Sequence, residues 1–271
     1  MNDPGIDTVV VATPHCLHTD ITVQAANLGK HILLEKPMAL TLEECDAIIE
    51  AVNTSKVSLM VGHLNQFAWW SYQKAKEIID SGEVGEVVFG ISKMSKIWFQ
   101  ENRRPWHLDR KTGGGMWLTA GMHCLDRLTW LIGSEVESVC ARFDTRFHDQ
   151  EADDVGLVFL RHRNGSFGSV VSTGWKVGVT DHLTEMTCTK GMLRIEYTEG
   201  VSIGRDEKWL KVPESGSSQW MEEALLNEWR AFISAIDQGT PSPVTGSYAR
   251  HIMSVVFAAE ESSNSKCEIA L

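Results

Sequence analysis

The 271-residue sequence has no long apolar run. Nothing in it approaches the roughly 20 consecutive apolar residues of a membrane-spanning helix, so no membrane partner is expected. It has no basic excess either: 25 Lys and Arg against 36 Asp and Glu leave a formal net charge of −11. That argues against a nucleic-acid surface, which needs a basic stripe, and suits a protein that meets small ligands. No C-x-x-C occurs, and the six cysteines (Cys16, Cys45, Cys124, Cys140, Cys188, Cys267) are scattered, as expected of reduced thiols in a cytoplasmic protein. The first residues, MNDPGIDTVV, lack the basic region and apolar core of a signal peptide. Repeats, low-complexity tracts and long like-charge runs are missing too. What is present is an ordinary globular balance, 43% hydrophobic and 23% charged, in a chain long enough for one large domain or two modest ones.

The chain opens by alternating strand and helix. DTVVVA (7–12) is a continuous β-branched run, the mark of a strand buried on both faces. TDITVQAANLG reads as a short helix ended by Gly29, and HILLE as the next strand. Thr41 with Glu44 three positions on forms a capping box, opening a helix whose Cys45, Ile48, Ile49 and Val52 share a face. VSLMVG is a third strand, completing β-α-β-α-β and predicting a parallel sheet. After FAWWSYQKAKEIIDSG, a helix stopped by Gly82, the pattern turns strand-rich from Glu86 to about Val212. Asn164-Gly165 between two apolar runs is a strong hairpin signal, so this sheet is expected to be mostly antiparallel. One helix, GMWLTAGMHCLDRLTWLIG, interrupts it. Two more, MEEALLNEWRAFISAID and SYARHIMSVVFAAEESS, close the chain, the last returning to the junction. The expected fold class is α/β plus α+β: a partial parallel sheet followed by a large, mostly antiparallel open sheet. The expected division is 1–63 and 64–271. An open sheet covered by helices on one face leaves the other needing a partner, and GLVFLRHRNGSFGSVVSTGW is apolar enough to supply it. A homodimer or homotetramer is expected.

Three constellations could carry chemistry. Glu35-Lys36-Pro37 ends an apolar strand with an acid, a base and a proline. The bland reading of Lys36 is a surface lysine. Against it, Pro37 restricts Lys36 to extended conformations, and the carboxyl end of a parallel strand is where such sheets bind ligands. A lysine there can donate to a substrate oxygen. The second cluster runs from Arg103 to Asp126, RRPWHLDRKTGGGMWLTAGMHCLD. Its three successive glycines permit a close backbone approach or a tight helix entry. A helix from Met116 sets Thr119 and His123 one turn apart on one face, with Asp126 placed to hold the imidazole in one tautomer. The rival reading is a helix histidine satisfied by a neighbour. Trp106, His107 and Asp109 precede them in a loop rich in polyol-binding groups. The third is ATPHCLHTD, where Ala12, Thr13 and Pro14 end the first strand and His15 and His18 open the next helix. The His15, Cys16 and His18 spacing matches no common zinc pattern, so no metal is expected. A helix start facing a ligand's phosphate or ribose is the functional alternative.

DTVVVATPHCLHTD, GKHILLEKPMALTLEEC, VSLMVGHLNQF and GGGMWLTAGMHCLD, in this order and spacing, resemble successive signatures of the glucose-fructose oxidoreductase/inositol dehydrogenase/rhizopine-catabolism (Gfo/Idh/MocA) family. The resemblance covers essentially the whole chain. It implies a Rossmann-like first part, a nicotinamide cofactor (NAD or NADP), and hydride transfer at a hydroxyl carbon of a sugar or polyol. By the same resemblance Lys36 lies beside nicotinamide and substrate, Glu35 touches the nicotinamide ribose, and Ala12, Thr13 and Pro14 line the cofactor; His15 and His18, from the helix-start reading above, are expected on the cofactor too. His123 is implied as general acid/base; Thr119, Trp106, His107 and Asp126, read from the residues themselves, are expected on the substrate. Pro37 fixes the direction of Lys36, a cis bond being one route. The family implies association through the large sheet.

Two departures stand out. Four residues before its histidine the family commonly has aspartate, and this chain has Thr119, which cannot supply a carboxylate to raise the pKa of His123. The family's opening strand and G-x-G-x-x-G turn are also missing from this sequence. The chain is therefore expected to be a truncated product, a mis-assigned start or a fragment. It is expected to expose a sheet edge and to bind NAD(P)H weakly on its own. Two rivals share the fold, an NAD-dependent glycosidase and a non-catalytic nucleotide-sensing homologue. Lys36 and His123 together favour the enzyme, and the missing turn favours the sensor.

Overall fold

The computed structural model describes residues 1–98 and 104–271. Arg103, the first residue of the second cluster, lies outside them. The chain opens with β1 (Thr8–Val11), α1 (His18–Asn27), β2 (His31–Glu35), α2 (Leu42–Ser55) and β3 (Leu59–Gly62). The strands lie in the order β1-β2-β3 and both pairings are parallel. Ile32, Leu33, Leu34, Met60 and Val61 are all buried, because helices and the second half of the chain cover both faces of this sheet. The expected capping box is present: the Thr41 hydroxyl accepts from the Glu44 amide and the Glu44 carboxylate accepts from the Thr41 amide. Cys45, Ile48 and Val52 turn inward while Ile49 is half-buried. Among the described residues β1 pairs only with β2 and forms an edge, on which Val10 is exposed.

A π-turn at Trp69–Gln73 leads into α3 (Lys74–Asp80), which stops at Gly82 in the left-handed region (φ 73°). There follow β4 (Val87–Ile97), α4 (Met122–Ile132), β5 (Val136–Asp144), β6 (Val155–His162), β7 (Phe167–Trp175), β8 (Asp181–Cys188), β9 (Gly191–Glu196), β10 (Gly200–Arg205) and β11 (Lys208–Lys211). The chain closes with α5 (Trp220–Gln238), α6 (Gly246–Ser265) and β12 (Ile269–Ala270). Together these strands make a nine-stranded sheet in the order β11-β10-β9-β8-β4-β7-β6-β5-β12. Asn164-Gly165 turns β6 into β7, with Gly165 at φ 88° and its amide donating to the His162 carbonyl. Every pairing is antiparallel except β4 with β7. That exception is geometric: β4 is inserted between β7 and β8, which run oppositely, so it must be parallel to one of them.

α4 and α6 cover one face of this sheet. On the other, β6 alternates with period two and leaves Leu157 and Phe159 exposed, beside Phe167 of β7. α6 also returns to α2 and β3, as expected, and the Val61 amide donates to the Val244 carbonyl just before it. The carboxyl ends of β1–β3 are thereby held against α4 and the rim of the large sheet.

Candidate active site

Where the two sheets meet there is a cavity of about 360 Å³. Lys36 enters it from the end of β2. The Lys36–Pro37 peptide is cis, and Nζ crosses to the second half, donating to the Thr119 carbonyl oxygen at 2.9 Å. The glycine run before Thr119 packs tightly against the turn after β1 and its own loop. A Cβ on Gly113 would stand 2.8 Å from the His15 side chain, and one on Gly114 would stand 2.4 Å from the His107 carbonyl oxygen. The chain then passes through a π-turn, Trp117–Gly121, directly into α4. Thr119 and His123 both face the cavity, as their spacing predicts. The Thr119 hydroxyl is turned onto its own backbone, donating to the Gly115 carbonyl at 2.6 Å. Trp106 and His107, stacked at 3.6 Å, form another wall with His15 edge-on to Trp106.

His123 is backed by groups far away in sequence. Its Nδ1 lies 3.0 Å from Asn65 Nδ2, and Asn65 Oδ1 accepts from the Tyr197 hydroxyl at 2.7 Å. That hydroxyl in turn accepts from Arg127 Nη1, while Nη2 donates to Cys124 Sγ at 2.7 Å. Arg127 is fully buried between the rings of Tyr72 and Tyr197, each 5.4 Å away. Burial, then the charges of Lys36 and Arg127, hold the His123 imidazole well below its ordinary pKa.

Asp126 departs from its expected place beside His123 and the substrate. It does not hold His123 and it does not line the cavity: it is fully buried, and its Oδ1 accepts from Gln66 at 2.7 Å and Tyr248 at 2.8 Å, with the His63 ring 3.3 Å away. Asn65, from the loop after β3, takes its place behind the imidazole. His18 is likewise turned away from any ligand. It is fully buried, with ring nitrogens 2.8 Å from the Pro37 carbonyl and 3.0 Å from that of Thr13, so it pins the turn after β1 to the turn after β2. His15 does line the cavity. Its Nδ1 meets the Gly113 carbonyl at 2.9 Å, and burial lowers its pKa to about 3, which keeps it neutral.

Ala12, Thr13 and Pro14 follow β1, and Glu35 ends β2 against Gly62, where an added Cβ would lie 3.3 Å from the carboxylate. These residues fit the nicotinamide-ribose end of a dinucleotide. They sit at the carboxyl ends of parallel strands, offer the Glu35 acceptor, and include Thr13 Oγ1, buried without a hydrogen-bond partner. Among the described residues no group of three His, Cys, Asp or Glu side chains could hold a metal ion, and no helix is long and apolar enough to cross a membrane.

Sequence reasoning missed several walls of the cavity: Asn65, Met94, Lys96, Trp98, His182, Tyr197 and Trp220. The signal for one set was readable, since Met94 and Lys96 of β4 and Trp98 just after it are spaced two apart. Asn65 and Tyr197 gave none.

Residues 1–63 match the oxidoreductase family with an NAD-binding Rossmann fold, and residues 72–194 match the GFO/IDH/MocA C-terminal domain, together more than half of the chain. The chain belongs to the Gfo/Idh/MocA oxidoreductase family. It is 31% identical over 199 residues to the scyllo-inositol 2-dehydrogenase (NAD(+)) of Bacillus subtilis, covering 72% of this chain and 56% of that one. It is 25% identical over 285 residues to the myo-inositol 2-dehydrogenase of Thermotoga maritima, covering 100% of this chain and 81% of that one. In fold it resembles the oxidoreductase domain protein of Kribbella flavida, with a TM-score of 0.88, 19% identity, and coverage of 99% of this chain and 81% of that one.

Proposed function

We propose that this protein is an NAD(P)-dependent dehydrogenase acting on a hydroxyl or keto carbon of a sugar, polyol or related ring. In this reading residues 1–63 are the nucleotide-binding half and residues 64–271 the substrate and association half. One observation carries it: Lys36 from the parallel sheet and His123 from α4 line one cavity beside strand ends that suit a dinucleotide. The two inositol dehydrogenases among the relatives support a hydroxylated ring as substrate. Bound nicotinamide would supply the hydride acceptor or donor. Ala12, Thr13, Pro14 and Glu35 would hold its ribose side, with His15 at the rim. Trp106, His107 and Thr119 would seat the substrate, and Lys36 Nζ and His123 Nε2 would meet the reacting oxygen. Association would run through the face of the large sheet that exposes Leu157, Phe159 and Phe167. All six cysteines are free, which suits the cytoplasm.

The test is NAD(P)+ reduction across a panel of inositols, sugars and polyols. Turnover of at least one is expected, with Lys36→Ala lowering kcat by about 10²–10⁴-fold. Full activity of Lys36→Ala would rule the assignment out.

A further inference from the structure

The hydrogen bonds behind His123 have a direction. Arginine only donates, so the Tyr197 oxygen accepts from Arg127. Its own O–H is then given to Asn65 Oδ1. That fixes the amide, so Nδ2 faces His123 Nδ1. A ring nitrogen facing an N–H presents its lone pair, so the neutral imidazole carries its proton on Nε2, the nitrogen left for the cavity. Turning the amide over would set Asn65 Nδ2 against the Tyr197 oxygen and strand the buried hydroxyl proton.

An imidazole in this tautomer cannot take a hydroxyl proton at Nε2 without first losing its own. The charged and titratable groups that act on it most strongly disfavour a second proton as well. Lys36 from β2, His63 after β3, Lys96 from β4 and Arg127 from α4 all oppose it. Asp126 does not reach His123: its Oδ1 accepts from Gln66 and Tyr248, and Thr119 stands where an aspartate would help. Lys36, with His15 and His18 as imidazole neighbours and Glu35 beside it in sequence, lines the same cavity as His123 and bonds to the Thr119 carbonyl one turn before it.

We propose that Lys36 is the group that moves the proton, that His123 acts as a neutral hydrogen-bond donor to the reacting oxygen, and that Asn65, Tyr197 and Arg127 are positioning residues that hold its tautomer. This rests on the dehydrogenase reading above. In the oxidising direction the substrate O–H bond breaks and its proton goes to the neutral Nζ of Lys36. The carbinol C–H leaves with its electron pair to oxidised nicotinamide, and the C=O that forms is held by His123 Nε2–H and the new Lys36 ammonium. In the reducing direction hydride reaches the carbonyl carbon from reduced nicotinamide, and the ammonium returns its proton to the oxygen. A donor-only histidine is replaceable by another donor, while the lysine is not.

Two measurements on the whole chain test this. In nitrogen-15 NMR of protein labelled at histidine, His123 should show the Nε2–H tautomer without titrating near 6.5, and Tyr197→Phe should mix the tautomers. In turnover, His123→Gln, whose amide can donate from the same place, should stay within about tenfold of the parent, while Lys36→Met should lose about 10²-fold or more. A parent protein showing Nδ1–H, or an imidazole that titrates near 6.5, overturns the assignment, and so does a His123→Gln loss matching that of Lys36→Met. An Nε2–H tautomer in a protein that reduces no NAD(P)+ overturns the dehydrogenase reading and the role of Lys36 with it.

Discussion

Thr119 concentrates what is particular to this chain. Its hydroxyl bonds to its own helix, so it can contribute a lone pair to a substrate but no charge to His123. Thr119→Ala should therefore raise KM several-fold and leave kcat nearly unchanged in the NAD(P)+ reduction assay, the signature of lost uniform binding. A fall in kcat matching that of Lys36→Ala would place Thr119 in the proton path instead. At this scale the sequence was legible where a local rule applied. Lys36 was marked by Pro37 and a strand end, and Thr119 and His123 by one helical turn. It was illegible where partners come from afar. Asn65 lies 58 residues from His123, and Tyr197 lies 132 from Asn65, so no spacing could announce them. Asp126 misled for the same reason: helical spacing placed it near His123, but the loop after β3 and Tyr248 of α6 claimed its carboxylate.

Among elements, α5 carries an unusual load. Glu228 on its inner side is 2% exposed, and its Oε1 has no hydrogen-bond partner. Burial first, and the charge of Glu35 second, push its carboxyl up to about 8. An unfolded glutamate ionises near 4.3, so between that pH and about 8 the folded chain binds the extra proton and stability falls as pH rises. Above about 8 the whole penalty is present. Glu228→Gln should remove it, raising stability at pH 8 by roughly 1–3 kcal/mol while changing little at pH 4. Urea unfolding at the two pH values reads this out, and equal stability of parent and variant at pH 8 would contradict it. Helices with a clear apolar stripe were readable, α5 and α6 to within two residues at each end and α2 at its capped start. The π-turns at Trp69–Gln73 and Trp117–Gly121 were not, because a single wide turn leaves no periodic trace.

For the whole molecule, the shift from parallel to antiparallel sheet was visible in the change of hydrophobic period. The central place of β4 was not, since strand order depends on packing between distant segments. The uncovered face of that sheet carries the association prediction. Phe159 and Phe167 stack at 5.6 Å beside exposed Leu157. Sedimentation equilibrium at micromolar concentration should give a dimer or tetramer, and Leu157→Lys with Phe159→Lys should yield monomer. A monomeric parent protein would contradict the interface.

The claim beneath all of this is that the cavity between the two sheets transfers hydride to a nicotinamide ring. The most direct measurement uses a polyol found active in the panel, deuterated at its carbinol carbon, with NAD(P)+ and the protein, and follows the label by NMR. The account predicts deuterium at nicotinamide C4 in proportion to product, with Lys36→Ala slowing its appearance about 10²-fold or more. Product that forms while the deuterium is lost to water, or stays on the substrate carbon, would contradict it.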